Sequence, residues 1–232
     1  MIEEDRSVFD LAGRAGDAIT SYGASNDQVI EEFEPVVPVL GDITLIHGGY
    51  WRPEYDRVHL RPLAQALAEK GWRTHLMEYR RIPGNPDATI DDIKGALDTI
   101  GNCILIGHSA GGHLALTAQG HDSVLGVIAL APVSDLVTGD NENYDDGAIR
   151  EFLGGPAAER LDLNPQSNPI TKPTVVIHGS EDIRVPVTQS RNFLSAHPTA
   201  GYIELEETGH FELIDPRHDA FKLLMNELKK FE

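Results

Sequence analysis

The segment Gly107-His108-Ser109-Ala110-Gly111 constrains this chain more than any other stretch. The apolar run Cys103-Ile104-Leu105-Ile106 leads into it, and Leu114, Ala115, Leu116 and Ala118 follow it. A serine between glycines, placed after a short strand and before a helix, suits a sharp strand-to-helix turn. The glycines relieve crowding around the strained backbone and hold the hydroxyl out of the turn. The helix N-terminus beneath it favours developing negative charge. A Gly-rich turn capped by Ser109 is the structural alternative, and the strand before and helix after argue against it.

The same alternation runs through most of the chain. Val29 to Pro35 alternates as a half-buried strand does, and Ile43 to Ile46 is a compact apolar run. Leu60 to Lys70 has helical spacing, with Gly71 just past its end. Trp72 to Tyr79 reads as a strand, Ile90 to Ile100 as a helix entered near Asp87 and Thr89, and Val124 to Leu130 as a strand. Thr174 to Ile177 and Tyr202 to Leu205 are strands, Val187 to His197 is a helix, and Asp215 to Lys230 is a closing amphipathic helix. Strands alternating with helices predict an α/β fold with a mostly parallel sheet covered on both faces. Residues 1–232 form a single domain in this reading. Residues 1–27 are a polar N-terminal extension in which Leu11 to Ile19 makes a short helix. Residues 135–172, too long for a simple connection, form a partly helical cap or lid. There Tyr144, Ile149, Phe152 and Leu153 are the apolar lid residues, and Asp140, Glu142, Asp145 and Asp146 its solvated outer face.

Composition removes several function classes. The chain carries 19 Lys and Arg against 37 Asp and Glu, a formal net charge of −18, and no basic cluster. Nucleic-acid and anionic-membrane partners are therefore not expected. Cys103 is the only cysteine, which excludes an intrachain disulfide and a Cys-rich metal site. No His-Glu-x-x-His helix, phosphate loop or dinucleotide fingerprint occurs, so neither a metal nor a cofactor is expected. The N-terminus lacks the apolar core of a signal peptide and no stretch has the length of a membrane span, so the expected location is cytoplasmic.

Serine is a weak nucleophile that needs a base, itself oriented by a third group. After Ser109 the chain offers both in order. The strand Thr174 to Ile177 runs into Glu181-Asp182, and the last strand leads into Thr208-Gly209-His210-Phe211. His210 is the expected base and Asp182, at the tip of its turn, the expected acid, with Glu181 as the alternative carboxylate. His178 reads as structural, and His197 and His218 as helix-terminal. Oxyanion stabilisation needs backbone N–H donors. The loop His47-Gly48-Gly49-Tyr50-Trp51 after the first parallel strand can supply them, together with the amide of Ala110.

These residues resemble the serine α/β-hydrolases of esterase type over about residues 28–230. His47-Gly48-Gly49-Tyr50-Trp51 is similar to the His-Gly-Gly-x-Trp signature of kynurenine formamidases and related carboxylesterases. The hormone-sensitive-lipase-like esterases carry His-Gly-Gly-Gly there, from which Tyr50 departs. Glu78-Tyr79-Arg80-Arg81-Ile82-Pro83 is similar to the Asp-Tyr-Arg-Leu-Ala-Pro segment of that group, with Glu78 and Arg81 as departures. The resemblance implies the triad Ser109, Asp182 and His210, and an oxyanion hole at Gly48, Gly49, Tyr50 and Ala110. Trp51, His108 and Phe211 are the expected pocket residues, with Tyr50 and Tyr79 as further aromatic candidates. The expected partner is a small-molecule ester, cleaved by a carboxylesterase. An aryl formamide such as N-formylkynurenine is the alternative substrate, a non-catalytic ligand-binding protein of the same fold is the alternative class, and a homodimer is the candidate assembly.

Overall fold

The computed structural model describes residues 4–231. Its eight strands form one sheet: β1 (Ala18–Ser21), β2 (Val29–Phe33), β3 (Gly41–Ile46), β4 (Trp72–Met77), β5 (Cys103–His108), β6 (Val124–Leu130), β7 (Thr174–Gly179) and β8 (Gly201–Leu205). The spatial order is β1-β2-β4-β3-β5-β6-β7-β8. β1 and β2 are antiparallel, and every pairing from β4 to β8 is parallel. The α/β expectation of a mostly parallel sheet, and with it the α/β-hydrolase fold, therefore holds.

Seven helices accompany the strands: α1 (Arg61–Glu69), α2 (Pro86–Ile100), α3 (Ala110–Ala118), α4 (Leu136–Asn141), α5 (Ala148–Leu153), α6 (Thr188–Ala196) and α7 (Asp219–Leu228). The central strands are apolar on both sides because both faces are covered. Along β5, Leu105 packs with Leu97 of α2 and Leu114 of α3, while Ile104 and Ile106 join Leu63 and Leu67 of α1 and Leu224 of α7. The chain order turns in opposite directions from β3 and β5, which are neighbours. The loops leaving their C-terminal ends therefore meet at a crevice, where open α/β sheets place their ligands.

Several boundaries differ from the sequence reading. The expected helix from Leu11 to Ile19 does not form; a 3-10 turn spans Ser7–Asp10, and Ile19 pairs with Glu31 in β1. Gly13 and Gly16 explain this, because a Cβ on Gly13 would lie 2.5 Å from Arg61 Cβ and one on Gly16 2.6 Å from Glu31 Cγ. The chain is held against those two residues and not wound on itself. α2 starts at Pro86 with Asn85 as cap, earlier than Asp87. α7 starts at Asp219, because Asp215 accepts from the Arg217 amide and His218 caps Ala220. The 135–172 region holds α4, α5 and short 3-10 turns. Ile149, Phe152 and Leu153 are buried, but of the four acidic residues read as a solvated face one is buried and a second only partly exposed. Asp140 is buried and pairs with Arg150, and Asp145 holds Arg52.

Candidate active site

Ser109 sits between β5 and α3 with φ 58° and ψ −121°, a left-handed strained turn that lifts its side chain away from the strand axis. The flanking glycines are required by close packing of main chain on main chain. A Cβ on Gly107 would come within 2.1 Å of Gly111 O, and one on Gly111 within 2.1 Å of Ile46 O. The second contact seats the serine turn on the end of β3, where the next functional loop begins. A Cβ on Gly48 would lie 2.9 Å from Ser109 Cβ, and Gly49 adopts φ 107° with Tyr55 against its α-carbon. Tyr50 and Trp51 follow with φ of 53° and 56°, so the strain continues through the loop.

A buried polar cluster fixes that loop from behind. His47 donates through Nδ1 to Gly48 O at 2.7 Å, and its Nε2 lies 2.8 Å from Glu78 Oε1. Tyr79 stacks on the His47 ring and donates to His47 O at 2.8 Å. Glu78 also contacts Arg81 and accepts from the Arg57 amide at 3.0 Å. Burial, reinforced by the neighbouring Arg81 charge, pushes His47 down to about 3, so it is neutral at physiological pH. The two motifs similar to esterase segments are thus one interlocked unit.

Asp182 and His210 come together after β7 and β8. His210 Nδ1 lies 2.6 Å from Asp182 Oδ2, and Glu181 is not the carboxylate that reaches it. Asp182 Oδ1 accepts from the amides of Arg184 and Val185, both at 2.8 Å, and His178 Nε2 lies 3.3 Å from Oδ2. Burial alone would raise this carboxyl; the adjacent His210 ring and the hydrogen bonds from His178 and His210 outweigh it and hold Asp182 well below the usual carboxylate range. His178 is anchored by Ser190 and Val185 O, the structural part expected of it. His108 Nε2 donates to His210 O at 3.0 Å, and burial together with the nearby His210 keeps it neutral.

Ser109, His210, His108, Gly49, Tyr50 and Phe211 line one cavity of about 290 Å³, near the lower end of ligand clefts at ~300 Å³. No Ser109–His210 hydrogen bond forms among the described residues, although both side chains open onto this space; such contacts often tighten only when substrate is bound. Trp51 is corrected as a pocket residue. It is buried away from the cavity, stacked on Phe152 of α5 at 4.7 Å, because the left-handed turn at Tyr50 directs the next side chain toward α5. Tyr79 is likewise core. Sequence reasoning missed Arg6, Phe9, Tyr55, His59 and the Arg184 guanidinium, which complete the walls with Glu54 and Asp56. Tyr55 lies in the loop after Trp51 and His59 in the 3-10 turn Arg57–Leu60 that follows it, close in sequence to the glycine loop. Phe9, an aromatic in a polar stretch, meets Phe211 across some two hundred residues, and no local pattern announces that contact.

A parallel sheet with a strained serine turn at its centre, and a carboxylate–histidine pair after the last two strands, defines the serine α/β-hydrolase superfamily. Residues 35–196 match the family model described as BD-FAE, more than half of the chain, and the chain belongs to that family. The match includes the Gly48-Gly49 loop, Ser109 and Asp182 and ends before His210. Among curated proteins, Esterase LipC of Mycobacterium tuberculosis is 28% identical over 240 residues, covering 81% of this chain and 58% of LipC. The probable carboxylic ester hydrolase LipM of the same organism is 32% identical over 216 residues, covering 73% of this chain and 49% of LipM. The chain thus spans about half the length of the curated relatives it matches. A truncated carbohydrate esterase from gut microbiota superimposes with a TM-score of 0.80 at 17% identity, covering 94% of this chain and 98% of that one. No helix among the described residues is long and apolar enough to cross a membrane.

Proposed function

We propose that the protein hydrolyses small carboxylic esters through a covalent acyl-enzyme. One observation carries the reading: Ser109, raised on its strained turn, shares a cavity with His210, whose other ring nitrogen lies 2.6 Å from Asp182. Ser109 Oγ attacks the ester carbonyl carbon while His210 Nε2 takes the hydroxyl proton. Asp182 holds the ring in the tautomer with Nδ1 protonated and stabilises the imidazolium that forms. The tetrahedral oxyanion lies toward the amides of Gly49, Tyr50 and Ala110, with Gly48 behind them giving the loop its close approach to Ser109. Collapse breaks the ester C–O bond, and His210 returns the proton to the departing alcohol. Water then attacks the acyl carbon, giving its proton to His210, and Ser109 leaves with that proton as the free acid is released. The esterase relatives and the family assignment support the reaction class.

Treatment with a fluorophosphonate and turnover of p-nitrophenyl acetate test this directly. The native protein should label at Ser109 and turn over the ester, and Ser109→Ala should do neither while retaining its circular dichroism. Undiminished turnover in Ser109→Ala overturns the mechanism. An unlabelled, inactive native protein overturns the enzyme reading and favours a ligand-binding role. The aromatic walls formed by Tyr50, Tyr55, Phe9 and Phe211 favour keeping aryl formamides as the second substrate class. A kcat/KM for N-formylkynurenine that is negligible beside short acyl esters removes it.

A further inference from the structure

The N-terminal segment reaches across the molecule to the mouth of the cavity. Glu4 forms a two-pronged pair with Arg184, Nε to Oε1 at 2.6 Å and Nη2 to Oε2 at 2.8 Å. The Glu4 side chain is 8% exposed and that of Arg184 33%, so water screens this pair less than a fully exposed one. The segment is tied down beyond that contact. Val8 is buried in the core, Ser7 Oγ accepts from Arg217 at 3.0 Å, and Phe9 packs edge-on against Phe211 at 4.8 Å. Arg6 lies over both rings and 3.6 Å from Glu4.

Arg184 is placed by the catalytic acid itself. Its amide bonds Asp182 Oδ1, and its side chain then enters the cavity that Ser109 and His210 share. A guanidinium presents a planar fork matched to carboxylates, and Glu4 occupies that fork. Glu54 and Asp56 line the same cavity without ion pairs among the described residues, so its remaining carboxylates repel anions.

We propose that Glu4 sets the charge preference of the site: by masking Arg184 it makes the cavity select uncharged esters, and an unmasked Arg184 admits esters whose acyl group ends in a carboxylate. The proposal rests on the esterase reading. Methyl butyrate and monomethyl succinate have acyl chains of the same length, differing in the terminal methyl or carboxylate. Their hydrolysis can be followed by proton release at constant pH, and succinate binding by calorimetry needs no turnover.

In Glu4→Ala the succinate-to-butyrate ratio of kcat/KM should rise about tenfold or more, the effect of one charge-assisted fork. Glu4→Gln, which keeps the shape and removes the charge, should raise it less, and Glu4→Ala/Arg184→Met should return it to the native value. Succinate affinity should follow the same order. A ratio within about twofold of native in both single variants, or a rise that persists in the double variant, overturns the proposal. If no form hydrolyses either ester, the esterase reading fails, and succinate affinity alone then decides the charge proposal: unchanged affinity refutes it.

Discussion

Glu78 and Arg81, the two departures from the Asp-Tyr-Arg-Leu-Ala-Pro pattern, touch one another behind the Gly48-Gly49 loop. Their side chains are 3% and 6% exposed, so each depends on the other for compensation. The dependence is unequal. Without Arg81, Glu78 keeps Arg57 at 3.7 Å and accepts from the amides of Arg57 and Tyr79 at 3.0 and 3.1 Å. Without Glu78, the one carboxylate Arg81 keeps among the described residues is Asp27, half-exposed at 3.8 Å, beside the uncharged His47 Nε2 at 3.2 Å and the Tyr79 ring. Glu78→Gln should therefore cost about 3–5 kcal/mol, the range for stranding a buried charge. Arg81→Leu, which loses one of several partners, should cost about 1–2 kcal/mol. With a urea slope of about 3 kcal/mol per M, the midpoints fall by about 1–1.7 M and about 0.5 M.

The double variant makes the reasoning falsifiable. Glu78→Gln/Arg81→Leu no longer strands Arg81 and should be more stable than Glu78→Gln alone, with an interaction of at least about 1 kcal/mol. Glu78→Gln should also slow fluorophosphonate labelling, because it removes the carboxylate that holds Arg81 in place beside His47 Nε2. Equal costs for the two single variants, or additivity within about 0.5 kcal/mol, would refute the claim that the departures form a compensating pair.

Two further outcomes follow from the buried titratable groups. Asp182→Asn should lower kcat on p-nitrophenyl acetate by about 10³–10⁴-fold with a smaller change in KM, since it removes the charge that holds the His210 tautomer; a loss under about tenfold on the same assay places the orienting acid elsewhere. His47 and His113 are pushed down by burial to about 3 and about 4, so below their unfolded value near 6.5 the unfolded chain binds protons the folded one refuses. Stability from these sites is thus fully present above that value and lost as pH falls, by about 1.4 kcal/mol per pH unit for each. Urea midpoints measured from pH 7 to 5 should drop accordingly, and a flat profile counts against neutral burial.

What the sequence could reveal was set by the range of each interaction. The strand, serine turn and helix around Ser109 are contiguous, so apolar runs and glycine spacing marked them. Asp182 and His210 each follow a recognisable strand, and the parallel sheet brings the ends of neighbouring strands together. Choosing Asp182 over Glu181 needed the turn itself, in which Asp182 is held by the Arg184 and Val185 amides and points at His210. Trp51 misled because a motif position says nothing of side-chain direction after two consecutive left-handed residues. The N-terminal wall was invisible for a different reason. Residues 11–19 read as a short helix, but Gly13 and Gly16 let the chain pass against Arg61 and Glu31. That route carries Glu4 and Phe9 to Arg184 and Phe211, joining the first residues described to the loops that hold Asp182 and His210. The proposed reactive groups therefore lie in segments that are local in sequence, whereas the walls of their cavity are built by contacts between distant parts of the chain.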